Sequence, residues 1–192
     1  MSTTPVTAFT EVVDTVACLV EAVQEQQRSA STPCTEWNVQ QLIDHLVAGQ
    51  RAFAVVMGAE PPVTVPDADA DAAPEPLKDT FRTSAAALVS AFGAPGALER
   101  MVQAPIGEVP GAVALHLQTV EHLVHGWDLA RSTGQKALFD DTTVEREIEF
   151  ARGLLEQLPS GPGAPFAPYR NAPEDAPALD RLAALLGRDI GE

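Results

Sequence analysis

Basic residues are scarce in this sequence. Its 192 residues include 12 lysines and arginines against 27 aspartates and glutamates, which gives a formal net charge of −15. Phosphate groups are bound by basic surfaces, so this balance argues against a nucleic-acid partner. It argues equally against docking on an anionic membrane surface.

Cysteines, long apolar runs and targeting signals are also lacking. Cys18 and Cys34 are the two cysteines and do not make a disulfide framework. No run of about 18 apolar residues that could cross a bilayer is present. The segment from Met1 to Thr10 has neither the basic start nor the apolar centre of a signal peptide. We therefore expect a soluble, acidic protein of the cytoplasm.

What the sequence does contain is a series of amphipathic segments separated by proline and glycine. Their apolar residues recur at the i, i+3, i+4, i+7 spacing of a helix. Between 94 and 111 we expect no more than a short extended piece, around Leu98 to Val102, and no sheet. The predicted helices cover Pro5 to Gln27, a segment that starts after the cap residue Asn38, Leu77 to Phe92, Ala112 to Ser132, Thr142 to Leu158, and Ala178 to Gly187.

These segments predict an all-α protein, a helical bundle. The stretches 60–76 and 94–111 are longer than an up-and-down bundle needs, so we expect at least one crossover connection. Residues 1–158 are expected to form the bundle. Residues 159–192 are expected to form a Pro/Gly-rich tail whose short terminal helix packs on the same domain.

Common catalytic motifs are missing from the sequence. It has no Gly-rich phosphate loop, no CxxC pair and no GxSxG. Cys34 lies just before a predicted helix start, where a thiolate is favoured, but a buried inert thiol is the more frequent outcome. Cys18 lies beside the apolar stripe of the first helix and is assigned to the core.

The segment 121–128, EHLVHGWD, carries two of the four histidines together with two carboxylates. At about 100° per residue, Glu121, His125 and Asp128 share one flank of the predicted helix, and His122 points away from the core towards solvent. Asp128 either orients a metal ligand or pairs with Arg131, and both interpretations remain open.

Glu121 and His125 are i, i+4 neighbours, so both can direct a donor at one metal ion. A solvated surface pair is the more frequent fate of such a spacing. His45, on the flank of its own helix, would complete a set of two imidazoles and one carboxylate. Three protein ligands leave an open position, which is typical of catalytic zinc sites, where the bound water or thiol is acidified.

Two blocks of the sequence resemble a known family. Residues 32–46, TPCTEWNVQQLIDHL, are similar to the opening motif of the mycothiol-dependent maleylpyruvate isomerase N-terminal (metal-binding) domain, within the DinB/YfiT-like superfamily. Residues 121–133, EHLVHGWDLARST, match a second block. Near the end of the sequence Pro165-Phe166, APALDRL at 176–182 and LGR at 186–188 resemble an actinobacterial branch of this family.

This resemblance implies a DinB-like four-helix bundle with a long crossover and a divalent metal at one end. Carried over position by position, the family's metal ligands fall on His45, Glu121 and His125. The implied metal is zinc, with nickel or another divalent ion as the alternative, and related members use a thiol such as mycothiol. The isomerase's additional C-terminal domain is not matched, so maleylpyruvate itself is not the expected substrate.

Three functional interpretations follow. The first is a metal-dependent enzyme that activates a low-molecular-weight thiol or water for transfer, isomerisation or hydrolysis of a small molecule. The alternative is a non-catalytic bundle that binds a metal or a small molecule. A third is a plain helical interaction module, which would require a large exposed apolar patch. The oligomeric state is left open, and Trp37 and Trp127 are assigned to packing.

Overall fold

A computed structural model of the chain describes residues 4–60, 77–157 and 169–191. The loop predicted at 60–76 lies outside these residues apart from Glu60, and so does the predicted domain boundary at 158. The described helices are α1 Pro5–Glu21, α2 Val39–Val56, α3 Leu77–Phe92, α4 Gly111–Thr133, α5 Asp141–Leu155 and α6 Ala178–Leu185. Two short strands, β1 Met101–Ala104 and β2 Gly107–Pro110, complete the described elements. The all-α prediction is confirmed.

The helix starts follow local hydrogen bonding. Thr4 caps α1 through a bond from the Thr7 amide. Asn38 and Gln41 form a reciprocal capping box at the start of α2, with bonds of 2.9 and 3.0 Å. Each cap satisfies amide groups that have no partner within the helix. The predicted start of α2 is therefore confirmed.

Two expectations about α1 are wrong. The helix ends at Glu21 rather than Gln27, because the chain turns into a short 3-10 segment at Glu25–Gln27. Cys18 is exposed instead of buried. The buried face of α1 passes through Val16, Leu19 and Val20, which leaves Cys18 on the outer side.

Four helices form a closed ring. α1 packs against α3 and α4, and α2 packs against the same two helices, so α1 and α2 lie diagonally opposite each other. The connections from α1 to α2 and from α3 to α4 therefore each join helices that are diagonally opposite in the ring. The predicted crossover is confirmed, and α2 and α4 become neighbours although about 70 residues separate them.

α4 is covered on two sides. One side faces the bundle core with Phe9, Leu42 and Leu129. The other side packs on α5 and α6 through a second cluster that includes Leu123 and Ile148. A helix enclosed in this way has no solvated face along its middle. This arrangement overturns the prediction for His122, which is 1% exposed.

The connection from α3 to α4 contains a β-hairpin that the sequence analysis did not predict. β1 and β2 pair antiparallel from Met101 and Pro110 to Ala104 and Gly107. Val102 and Ala104 point into the protein and are buried. Four-residue strands carry too few alternating residues to be recognised by periodicity.

No helix in the described part of the chain is long and apolar enough to span a bilayer.

Candidate metal centre

Three side chains from two neighbouring helices meet at one end of the bundle. His45 lies on α2, and Glu121 and His125 lie one turn apart on α4. His45 Nε2 is 2.6 Å from Glu121 Oε1, and His125 Nε2 is 3.3 Å from the same oxygen. The three ligand atoms all lie within 4.8 Å of one another. The residues that the sequence analysis selected are thus brought together; that they bind a metal remains a prediction.

The cluster is open on one side only. The His125 side chain is 5% exposed, whereas those of His45 and Glu121 are 34% and 35% exposed. His45 and Glu121 also line a cavity of about 400 Å³ between α2, α4 and α5. A small molecule can therefore approach the cluster from the His45 and Glu121 side.

His125 is held by a buried carboxylate. Its Nδ1 lies 3.0 Å from Oδ2 of Asp128, which is fully buried. Asp128 in turn accepts two bonds from Arg188, at 2.9 Å from Nη2 and 3.3 Å from Nε. This geometry pairs Asp128 with His125 and Arg188 rather than with Arg131; that Asp128 orients a metal ligand remains a prediction. Arg131 lies instead over the Trp127 ring, 4.9 Å from its centroid.

Arg188 is a site residue that the sequence analysis missed. It follows α6, where Gly187 adopts a positive φ of 86° and turns the chain back. The Arg188 amide then donates to the Ala183 carbonyl at 2.9 Å, and the guanidinium reaches Asp128. The only sequence signal was the LGR block at 186–188, which contributed to the family resemblance without indicating a role.

Trp37 packs directly on the ring of His45: the two rings are stacked with their centroids 4.1 Å apart. Its edge also meets the His125 ring at 5.7 Å. The loop that carries Trp37 is tied to itself because the Thr32 hydroxyl lies 2.7 Å from the Trp37 carbonyl and 2.8 Å from that of Cys34. Trp37 therefore limits both the movement of His45 and the access of water to one face of its ring.

Hydrogen bonds within the cluster stabilise the ionised form of Glu121 and the protonated form of His125. Burial favours the protonated acid, but hydrogen bonds from His125 and His45 outweigh it and hold the pKa of Glu121 well below its usual range. Burial also opposes protonation of His125, yet its bonds to Asp128 and Glu121 raise the pKa of His125 to about 9. In the metal-free protein at neutral pH, a protonated His125 thus lies between two carboxylates.

His122 belongs to a separate buried network. Its Nδ1 donates to the Gln118 carbonyl at 2.7 Å, which leaves Nε2 to accept from the Gln50 side chain at 3.0 Å. Ser84 donates to Gln50 Oε1 at 2.5 Å. Burial lowers the pKa of His122 to about 4, so the ring is neutral. Its role is to connect α2, α3 and α4 rather than to face solvent.

Cys34 lies close enough to offer a second donor set, with ligand atoms of Cys34, His125 and Asp128 within 4.8 Å of one another. This set is the weaker of the two because Asp128 already binds Arg188. Burial raises the pKa of the Cys34 thiol, which disfavours the thiolate that a metal requires. The sequence analysis favoured a buried, inert thiol; Cys34 is instead half-buried, and its lack of reactivity remains a prediction.

Gly126 explains how α4 fits between its neighbours beside His125. A Cβ atom at this position would lie 2.7 Å from the Phe139 ring and 3.2 Å from Val16. The glycine in the HGWD segment therefore permits a close approach of α1 and Phe139 to α4.

Comparisons with known proteins identify the family of the chain and the fold that it shares. Residues 9–130 match the family model described as the mycothiol maleylpyruvate isomerase N-terminal domain. The chain is 36% identical over 186 residues to the uncharacterized proteins MT0763 and Rv0738 of Mycobacterium tuberculosis. These alignments cover 97% of this chain and 98% of each relative.

Two crystal structures share the fold. They are of the mycothiol-dependent maleylpyruvate isomerase and of a histidine-to-alanine mutant of that enzyme, each with a TM-score of 0.57 and 18% sequence identity. The match covers 80% of this chain and 67% of theirs. At this level of identity the likeness is one of fold.

Proposed function

Because this chain belongs to the mycothiol maleylpyruvate isomerase N-terminal domain family, we propose that it is a metal-dependent enzyme acting on a small molecule with a low-molecular-weight thiol or water. The proposed ligands are His45, Glu121 and His125, and the proposed metal is zinc, with nickel or another divalent ion as the alternative. The observation that carries the proposal is the convergence of these three donors, from two helices, within 4.8 Å.

The donor set suits zinc. Imidazole nitrogen and carboxylate oxygen are common zinc ligands, and catalytic zinc sites have three protein ligands and one open position. A zinc ion held here would acidify a bound thiol or water and so supply a nucleophile near neutral pH. The exposed sides of His45 and Glu121 provide the direction from which the thiol and the substrate would enter.

Three residues around the proposed ligands would hold them in position for a metal. Asp128 accepts the Nδ1 proton of His125 and so leaves Nε2 facing Glu121 and His45. Arg188 holds Asp128 in place. Trp37 covers one face of His45 and excludes water there. These groups would position the ligands and keep one side of the site dry.

We also propose that the tail at 159–192 belongs to the same domain as residues 1–158. The support comes from its described part: α6 packs on α4 and α5, and Arg188 contacts Asp128. A protein truncated after residue 158 is expected to lose both metal affinity and stability. Full metal affinity in the truncated protein would contradict this assignment.

The first experiment measures metal content. Purified wild-type protein, incubated with zinc and desalted, is expected to retain about one equivalent, and His125→Ala is expected to retain far less. His116→Ala is the matched control, since His116 lies on the same helix but pairs with the buried Glu147 at 2.8 Å. Equal metal in His125→Ala and wild type, or no metal in wild type, would refute the proposed site.

The second experiment tests thiol activation. Protein loaded with cobalt in place of zinc is titrated with a small thiol, and a sulfur-to-cobalt charge-transfer band is expected in the near ultraviolet. His116→Ala should show the same band and His125→Ala should not. Metal binding without any thiol band would leave water as the nucleophile or place the protein in the non-catalytic alternative.

A further inference from the structure

The cavity beside His45 and Glu121 is large enough to hold a substrate. Its volume of about 400 Å³ lies in the range of small-molecule sites. It is bounded by α2, α4 and α5, and by the hairpin turn at Pro105 and Ile106. The cavity and the candidate metal ligands therefore form one continuous site.

Most of the cavity wall is hydrocarbon. Each bounding element supplies apolar side chains, among them Phe53 from α2, Ile106 from the hairpin turn, Leu117 from α4, and Phe150 and Leu154 from α5. Among the described residues, no lysine or arginine lines it. A carboxylate placed against this wall, away from the candidate metal ligands, would lose its hydration without gaining a basic side chain as partner.

The polar groups of the wall are few and mostly engaged. His45 and Glu121 bind each other, and both ring nitrogens of His122 are used by Gln118 and Gln50. The Gln118 side chain is different: it lines the cavity, and within the described parts of the chain its carboxamide is neither hydrogen-bonded nor sealed off as a buried, unpartnered group. An amide that reaches the cavity and is not used by the protein can donate to or accept from a ligand, so this position favours a ligand that carries a neutral hydrogen-bonding group.

We infer that the substrate bound in this cavity is an uncharged, largely hydrocarbon molecule with a carbonyl, ester or hydroxyl group for Gln118, and not a dicarboxylate. This inference rests on the proposed function, because it places the reacting end of the molecule beside His45 and Glu121.

Ligand preference is measured by displacement of an uncharged dye, N-phenylnaphthylamine, whose fluorescence rises in apolar surroundings. The competitors are terephthalate and its dimethyl ester, which share one carbon skeleton and differ in charge. Both zinc-loaded and metal-free protein are used. The diester is expected to displace the dye at a concentration at least tenfold lower than the dianion in both forms.

The location of binding is tested by filling the cavity. Gly49 lies one turn after His45, lines the cavity, and has no atom within 4 Å of a Cβ placed on it. Gly49→Phe is therefore expected to fold and to lower dye affinity at least tenfold, and Gly49→Leu to lower it less. The matched control is Gly153→Phe, because Gly153 is also helical with open space around its Cβ but does not line the cavity.

The outcomes separate the two proposals. Zinc content is measured on every variant and is expected to be unchanged in Gly49→Phe and Gly153→Phe. Displacement by terephthalate as strong as by its diester, or equal dye affinity in Gly49→Phe and wild type, overturns the substrate class. Absence of zinc from wild type with normal dye binding instead refutes the metal site and leaves the apolar cavity intact.

Discussion

Replacing Asp128 by Asn tests how His125 is prepared for a metal. The substitution keeps the shape of the side chain but removes the charge that accepts the Nδ1 proton of His125 and binds Arg188. Asp128 is fully buried, so no water can replace that charge. The perturbation therefore acts at two contacts that can be measured separately.

The first contact affects metal affinity. Loss of a group that orients a metal ligand typically lowers affinity 10–100-fold, or about 1.4–2.7 kcal/mol. A second effect has the opposite sign. In the wild type His125 has a pKa of about 9, so a metal must displace a proton below that pH, at up to about tenfold in affinity per pH unit. Without the Asp128 carboxylate the pKa of His125 falls, so at neutral pH a proton competes less with the metal for the His125 ring.

The second contact affects stability. The Arg188 side chain is 15% exposed, and Asp128→Asn leaves it without its anionic partner. Breaking a buried ion pair on one side costs about 3 kcal/mol. The matched control is Asp189→Asn in the same tail, because Asp189 binds Arg170 at the surface with its side chain 73% exposed. An exposed pair contributes less than about 1 kcal/mol.

The assay is zinc competition against a chromophoric chelator between pH 6.5 and 9.5, together with urea unfolding of the metal-free proteins. Wild-type affinity is expected to rise with pH up to about 9, whereas the affinity of Asp128→Asn should level off earlier and at a lower value. Identical pH profiles for the two proteins would show that Asp128 does not hold the His125 proton. Equal zinc affinities of wild type and Asp128→Asn at pH 9.5 would show that Asp128 does not position His125 for the metal.

Three further outcomes follow from the structure. The metal-free protein should become less stable to urea as pH rises from 6.5 to 9. The raised pKa of His125 contributes stability that is complete below its unfolded value of 6.5 and is lost above about 9. Saturating zinc should abolish this trend, and a free energy of unfolding that is constant over this pH range would contradict it. Gly126→Ala should lower the free energy of unfolding by about 1–3 kcal/mol, since its Cβ overlaps the Phe139 ring; an unchanged urea midpoint would show that the ring moves aside freely. Gln50→Leu should cost a similar ~1–3 kcal/mol by removing the partner of the neutral His122 ring, and a stabilised variant would refute the network.

The features that the sequence determined by itself, helix ends and helix faces, depend on interactions between residues close together in the chain. Asn38 and Gln41 cap α2 through bonds between residues three apart, and α3 begins and ends at its predicted residues. The common flank of Glu121 and His125 follows from helical periodicity alone. None of these features depends on what packs against the helix, which is why they were predictable.

The tertiary structure decided the features that depend on distant segments. His122 is buried because its side of α4 faces the bundle core, where it meets Phe9 and Gln50. The apolar stripe with Val120 and Val124 packs instead on α5 and α6, so the stripe did not mark the direction of the bundle core. Arg188 reaches Asp128 across 60 residues of chain, through a turn at Gly187. The apolar cavity likewise exists only where α2, α4, α5 and the hairpin meet. Residue spacing encodes the faces of a helix, but only packing determines which of those faces remains open to a ligand.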